Sequence, residues 1–384
     1  MTLYDSNIEI DFKRDVWCLF GLPVDNITLS EMKDLIQYQE SEKKSSILST
    51  VNINWVISSF SNHKIRSAIL NSDIVCIDGK PLLWLAQLLS YPMKEVVAGS
   101  TLIHELNEAN HISPPLSLFL FGGDKDVGEI AKQKVNDKQG GLHVVGAINP
   151  GFGTIKEMST ETIIHEINST KADILLVALG TAKGTQWIEE NHRQLNARIV
   201  SHLGATINFL AGSVKRAPVF YRKAGLEWVW RIVQEPTLFS RYLYDGIALA
   251  KHLTKSLPTW IQYHYWQKQL RPKSKLNHQT KIQETENNIT LLFGPSITGV
   301  KNNHLRALFC NSAQRNKDIA LDFKDTKFVD GSFLGLLLVL LKWQRKNQKK
   351  ITFINTSDRL NKILTFSGIY QSIDTAATTP GFSK

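Results

Sequence analysis

The sequence predicts an α/β protein: a parallel sheet covered by helices, a helical segment after it, and a second, smaller α/β domain. Three observations carry this. Over residues 1–210 short apolar runs alternate with segments of helical period, and strands buried on both faces and joined by helices form a covered parallel sheet. Over 211–270 the pattern turns helical and holds Trp228, Trp230, Trp260 and Trp266, four of the nine tryptophans. Beyond a polar stretch at 271–288, a second alternation of strand and helix runs over 289–384.

Taken in order, the strands are "SSILSTVNIN", "SDIVCID", "LSLFLFGG", "LHVVGAIN", "ADILLVALG" and "ARIVSHLGA". Between them lie the helices "SEMKDLIQYQE", "PLLWLAQLLS", "STLIHELNEAN", "VGEIAKQKVND", "ETIIHEINST" and "TQWIEENHRQL". This is a Rossmann-like order, and such folds bind ligands at the carboxyl ends of their strands. The strand-end residues are Asn52 and Asn54, Asp78, Gly122 and Gly123, the "NPGFG" of 149–153, and Gly180. The stretch "RPKSKLNHQTKIQETENN" has no apolar periodicity and reads as a linker. After it come "ITLLF", "IALDF" and "ITFIN" as strands, with "NHLRALFCNSAQ", "SFLGLLLVLLKWQRK" and "SDRLNKILTFSG" as helices.

A chain of 384 residues implies two or three domains. Its formal charge of +10 and pI near 9.3 suggest an anionic partner. Cys18, Cys76 and Cys310 are odd in number and far apart, so neither a disulfide framework nor a zinc spacing is indicated. The first fifteen residues carry four acids and no apolar core. The longest apolar run, 333–341, is half of what a membrane-spanning helix needs. The expectation is a cytoplasmic protein, soluble or peripheral.

Asp78 ends an apolar strand in "DIVCIDGKP". A carboxylate there faces the strand-end cleft and suits a general base; the alternative is a turn or N-cap aspartate. "FGGDKDVGE" opens a helix, and Gly122 and Gly123 expose backbone N–H groups that favour phosphate. Asp124-Lys125-Asp126 imitates a metal-binding aspartate pair, but Asp is also the ordinary N-cap residue, so no metal is expected. No Walker, G-x-G-x-x-G, G-x-S-x-G or H-E-x-x-H motif is present. His104, His165 and His202 read as structural or solvated. In "AGSVKRAPVFYRKAGLEWVWRI" five cations interleave with four aromatics, and only Glu227 is acidic. No nucleic-acid motif accompanies them. The pattern suits an anionic lipid interface; a solvated basic face is the alternative. On this reading the cations Lys215, Arg216 and Arg231 turn toward anions while Trp228 and Trp230 lie at the bilayer surface.

The segments "IDGKPLLWLAQLL", "VVAGSTLIHEL", "LFLFGG", "ADILLVALGTAKGTQWI" and "GATINFLAGSVKRAPVFYRKAGLEWVWRIVQEP" together resemble the WecB/TagA/CpsF family of bacterial glycosyltransferases, from about Gly21 to Tyr242. The resemblance implies transfer of a hexose or hexosamine from a UDP-sugar to a polyprenyl-diphosphate-linked acceptor, with inversion and without a metal or other cofactor. The setting is cell-surface polysaccharide synthesis at the inner face of the plasma membrane. It implies that the helical appendage, 211–270, docks on that anionic surface and completes the site. The family base falls on Asp78. Asn54 takes the place of an upstream asparagine, Asn52 that of a threonine, and Arg231 and Arg241 those of appendage arginines. Gly99, Gly122, Gly123, Asn208, Lys215 and Arg216 complete the expected substrate-binding set.

The chain departs from that pattern. Gly184 replaces a glutamine, Val96 an arginine, Thr101 an acid and Asn208 an aspartate, while Thr237 and Leu238 fall where an arginine is usual. Losing an arginine from a diphosphate site removes a charge-assisted pair of about 1.5–3 kcal/mol. The alternative function is therefore a catalytically weak scaffold. "LDFKDTKFVDGSFLGLLLVL" resembles a STAS domain, which implies a regulatory protein partner and a phosphorylation switch at Ser332; a capping serine is the other reading.

Overall fold

The computed structural model describes residues 7–38, 45–270, 280–299 and 302–374. By internal contacts the chain divides into two units: Ile27–Gln87 with Pro92–Ala248, and Met1–Asn26 with Leu88–Tyr91 and Leu249–Lys384. A hairpin of β1 (Val16–Leu19) and β2 (Leu22–Asp25) comes first and belongs to the second of these.

The first unit is built on β3 (Ser46–Val51), β4 (Ile74–Ile77), β5 (Leu116–Gly122), β6 (Leu142–Ile148), β7 (Ile174–Ala178) and β8 (Ile199–His202). All pairings are parallel, in the order β4-β3-β8-β7-β5-β6. The apolar runs are nearly continuous because both faces are covered. Alternate residues serve opposite cores. Leu118, Leu120, Ile174, Leu176 and Ile199 pack on one face, and Phe119, Phe121, Leu175, Val177 and Val200 on the other. On that second face Trp187 is fully buried, its Nε1 donating to the Met158 carbonyl at 2.9 Å. The chain leaves β5 toward the edge strand β6 but leaves β7 in the opposite direction, toward β8. The topological switch, where ligands enter such folds, therefore lies between β5 and β7.

The expected helical segment contains helices Val219–Ala224, Glu227–Gln234 and Phe239–Leu270, with a short turn at Pro236–Leu238. The unit boundary falls inside the last helix, after Ala248, and not at residue 270 as the sequence suggests. Among the described residues no helix is long and apolar enough to cross a membrane.

In the second unit β9 (Lys281–Glu284), β10 (Asn288–Leu292), β12 (Asp318–Asp322) and β14 (Ile351–Ile354) form a mixed sheet, while β11 (Ser296–Ile297) pairs with β13 (Phe328–Val329). The expected linker is thus corrected: part of 271–288 lies outside the described residues, and Lys281–Glu284 pair with β10 as an exposed edge strand. A single apolar residue, Ile282, among Lys281, Gln283 and Glu284 hides it from a hydrophobicity pattern, and all four are exposed to solvent.

Helix Gly331–Lys346 is buried from Gly331 through Gln344. A helix apolar on all sides needs cover on all sides. The amino-terminal segment supplies part of it. A Cβ on Gly335 would lie 2.4 Å from the Val16 carbonyl, so β1 runs directly against this helix. Lys342, nearly inaccessible, donates to Asp11 Oδ2 at 3.0 Å, and Trp343 Nε1 donates to the same oxygen at 2.9 Å. The first 26 residues, expected in the catalytic core, therefore belong with the tail.

Ser332 is fully buried. Its hydroxyl donates to Asp330 Oδ1 at 2.7 Å and accepts the Gly299 N–H at 2.9 Å. The helix is capped by Asp330, which accepts the Phe333 N–H at 2.8 Å. The capping reading of Ser332 is therefore corrected: Asp330 is the cap, and the Ser332 hydroxyl is enclosed in a hydrogen-bond cluster with Asp330 and Gly299.

Candidate active site

Asp78 follows β4 directly, and its N–H donates to the Val51 carbonyl at the end of β3. The ends of two parallel strands thus hold the carboxylate at the expected edge of the sheet. Burial raises its proton affinity, and the Glu227 carboxylate raises it further. Arg231 opposes both, and the pKa stands at about 7. Glu227 and Arg231 are one turn apart on helix Glu227–Gln234, so one short helix brings both charges to bear on Asp78.

The chain just before that helix is fastened to the helix that follows Asp78. Lys80 Nζ donates to the Lys223 carbonyl at 2.5 Å. Gly225, at φ +72°, turns the chain where a Cβ would meet Lys80 and Trp84 at about 2.9 Å. Trp230 Nε1 donates to the Lys215 carbonyl at 3.0 Å, and its ring lies 5.6 Å from Tyr221. Trp230 is therefore half-buried and held by packing, whereas Phe220, Trp228, Val233, Phe239, Leu243, Tyr244 and Ile247 are exposed.

The other expected residues divide. Arg216 donates from Nη2 to Thr101 Oγ1 at 2.7 Å, which pairs the guanidinium with the residue that departs from the family acid. Burial lowers the Arg216 pKa, with neighbouring Arg222 adding to the effect. Arg231 pairs with Glu235 at 3.1 Å, not with Glu227, and lies over the Phe209 ring. Arg241 is exposed over the Tyr242 ring. The Lys215 carbonyl is held by Trp230. The Asn208 carbonyl accepts the Ser213 N–H at 3.0 Å, closing its helix.

Asn52 caps helix Ile53–Ser61, accepting the Trp55 N–H at 3.2 Å, so its side-chain oxygen already has a structural use. Gly99 lets its helix approach β8; a Cβ there would lie 2.2 Å from Leu203 Cδ2. At the switch point Gly122 has φ +99°, and a Cβ would lie 2.5 Å from the Ala178 carbonyl oxygen, so only glycine fits. The Gly123 N–H donates to that same oxygen at 2.9 Å. It is not offered to a phosphate as the sequence suggests. Gly180, with open space around it, begins helix Thr181–Asn191 across the crevice. The loop at 149–153 is tied to both sides, with Asn149 donating to the Gly123 carbonyl and Lys183 to that of Gly153. Among the described residues no group of three His, Cys, Asp or Glu side chains could hold a metal ion.

Two functional candidates escaped the sequence. Glu227 stands out in the sequence only as the one acid among the cations and aromatics of 211–232. Asp245 is 4% exposed inside the long helix, where it accepts the Asn54 amide at 3.0 and 3.3 Å. Its only sequence signal is its place four residues after Arg241.

Gly184 has a local explanation. A Cβ at 184 would lie 2.1 Å from His202 Cδ2. The imidazole, lying 5.7 Å from the Trp55 ring, fills the space that a side chain at 184 would need. Burial pushes the His202 pKa down to about 4, against the smaller opposing pull of its own and the Gly180 backbone, so the ring is neutral at pH 7. Gly184→Gln is expected to be destabilised by overpacking, by about 1–3 kcal/mol. Adding His202→Ala should recover most of the loss in thermal unfolding. A Gly184→Gln protein as stable as the wild type would refute this account.

The Glycosyl transferase WecG/TagA/CpsF family matches residues 17–261. An N-acetylglucosaminyldiphosphoundecaprenol N-acetyl-beta-D-mannosaminyltransferase of Staphylococcus aureus (strain MRSA252) is 24% identical over 215 residues, 56% of this chain and 82% of the relative. The protein of the same description from strain MW2 is 23% identical over 219 residues, 56% of this chain and 84% of the relative. With more than half of its length matched, from β1 to the long helix after Asp245, the chain belongs to the WecG/TagA/CpsF family of glycosyltransferases.

Proposed function

We propose that the chain transfers a hexose or hexosamine from a UDP-sugar, with inversion and without a metal, to a polyprenyl-diphosphate-linked acceptor at the inner face of the plasma membrane. The observation that carries this is Asp78, a strand-end carboxylate whose proton affinity is tuned to about pH 7, where a general base works best. In the mechanism, Asp78 takes the proton of the acceptor hydroxyl as its oxygen attacks the anomeric carbon. The carbon–oxygen bond to UDP breaks on the opposite face of the sugar. Negative charge develops on the leaving diphosphate, and Arg216, Arg231, Arg241 and Lys215 are the cations available to stabilise it. The names of the Staphylococcus aureus relatives, which specify an N-acetylglucosaminyldiphosphoundecaprenol acceptor, support the acceptor class.

The exposed apolar side chains of 219–247, with Arg222, Lys223 and Arg241 among them, support docking on an anionic bilayer. Each cation near such a surface contributes about 1 kcal/mol. The experiment is UDP release by the purified full chain from a panel of UDP-hexoses and UDP-N-acetylhexosamines. A polyprenyl-diphosphate-sugar acceptor is presented in anionic or in neutral liposomes. Release should require the acceptor and should be faster on anionic vesicles. Silence across the panel, together with no binding of UDP, would replace this reading with a scaffold acting through its STAS-like tail, for which the replacement of a glutamine by Gly184 and of arginines at Val96 and Leu238 is the support.

A further inference from the structure

Asn54 lies in the first turn after β3, beside the strand end that carries Asp78, and its side chain is committed. Nδ2 faces both oxygens of Asp245, at 3.0 and 3.3 Å. Asp245 is nearly inaccessible and lies in the first two turns of the long helix. Burial raises its proton affinity; the Asn54 amide and then Arg241 act against the rise. An ionised carboxylate only accepts hydrogen bonds, so the group of Asn54 that faces it must be the NH2. The amide carbonyl of Asn54 is then turned the other way. An asparagine at this strand end with no such partner could present either group.

We infer that Asp245 is a positioning residue that locks the Asn54 amide in one orientation, so that Asn54 offers the substrate its carbonyl oxygen, an acceptor for a sugar hydroxyl or an N–H, and not its NH2. This rests on the reading of the cleft as a sugar-transfer site. The lock also joins the helical appendage to the cleft by a hydrogen bond that a proton on Asp245 would weaken.

The test uses the full chain with Asp245→Asn, Asn54→Asp and the reciprocal pair Asn54→Asp/Asp245→Asn. In the pair, the amide now at position 245 donates to the carboxylate now at position 54, whose second oxygen still offers an acceptor. Each single change is expected to lower kcat/KM about tenfold, the loss of one directed hydrogen bond, chiefly through KM. The reciprocal pair should regain most of it. A purely structural role would move the melting temperature of all three proteins and leave KM unchanged at permissive temperature. Singles within twofold of wild type, or a pair no better than its worse single, overturn the inference. The Asn54 side-chain NH2 resonances give an arm that does not depend on turnover. They should titrate with Asp245 in the wild type and lose that titration in Asp245→Asn; a spectrum unchanged by the substitution overturns the lock. A wild-type chain that binds UDP but transfers no sugar sinks the transferase reading alone.

Discussion

Asp78→Asn lowers turnover by about 10²- to 10⁴-fold, the usual contribution of a positioned general base, while UDP-sugar binding persists. The variant should also fold at least as well as the wild type. The folded pKa of Asp78, about 7, is above the ordinary carboxylate value, so the folded state holds more protons than the unfolded one between about pH 4 and 7. Stability contributed by this group is therefore present at low pH and is lost as pH rises through the folded value. Asparagine removes that loss. In the wild type, kcat/KM should rise with pH and level off above about 7, as the base becomes deprotonated. Stopped assays across pH 5–9, with thermal unfolding on the same samples, check both halves. Turnover of Asp78→Asn within a few-fold of wild type would reject the assignment.

Asp11→Ala destabilises the second unit by about 3–5 kcal/mol, because it strips the carboxylate from a lysine that stays buried. Lys342 is 8% exposed and Asp11 3%, and Trp343 Nε1 donates to the same carboxylate. At about 2–4 °C per kcal/mol for a unit of this size, the unfolding transition should fall by on the order of 10 °C. Deleting the first 26 residues should do more, since it also uncovers the face of helix Gly331–Lys346 that meets β1. Scanning calorimetry of the full chain reads both changes. A shift under about 2 °C for Asp11→Ala would mean that the amino-terminal segment is not part of this unit.

Much of the catalytic unit was legible in the residues alone. The six apolar runs are the six parallel strands, because burial on both faces leaves a near-continuous hydrophobic signal. Asp78 was legible because a carboxylate after such a run, before a glycine, has few places to go but the strand-end cleft. The helical character of 211–270 followed from its periodicity. What escaped lacked a local signal. The strand at Lys281–Glu284 is exposed along its whole length, and the hairpin Val16–Asp25 consists of two strands of only four residues each.

The pairing of partners was decided by tertiary structure. Nothing near Asp11 in the sequence announces Lys342, 331 residues away, yet the apolar run at 333–341 needed cover on every side and found part of it at the amino terminus. Asp245 reads as one acid in a basic helix until folding brings it to Asn54, 191 residues earlier. Nothing beside Gly184 in the sequence announces His202, whose ring occupies the space that a side chain at 184 would need. The raised proton affinity of Asp78 likewise comes first from burial and then from Glu227, with Arg231 opposing, and both of these charges reach it only through the docked helix. Periodicity records which face of an element is buried. Which distant group it is buried against, and with what charge, depends on contacts that short-range pattern does not encode.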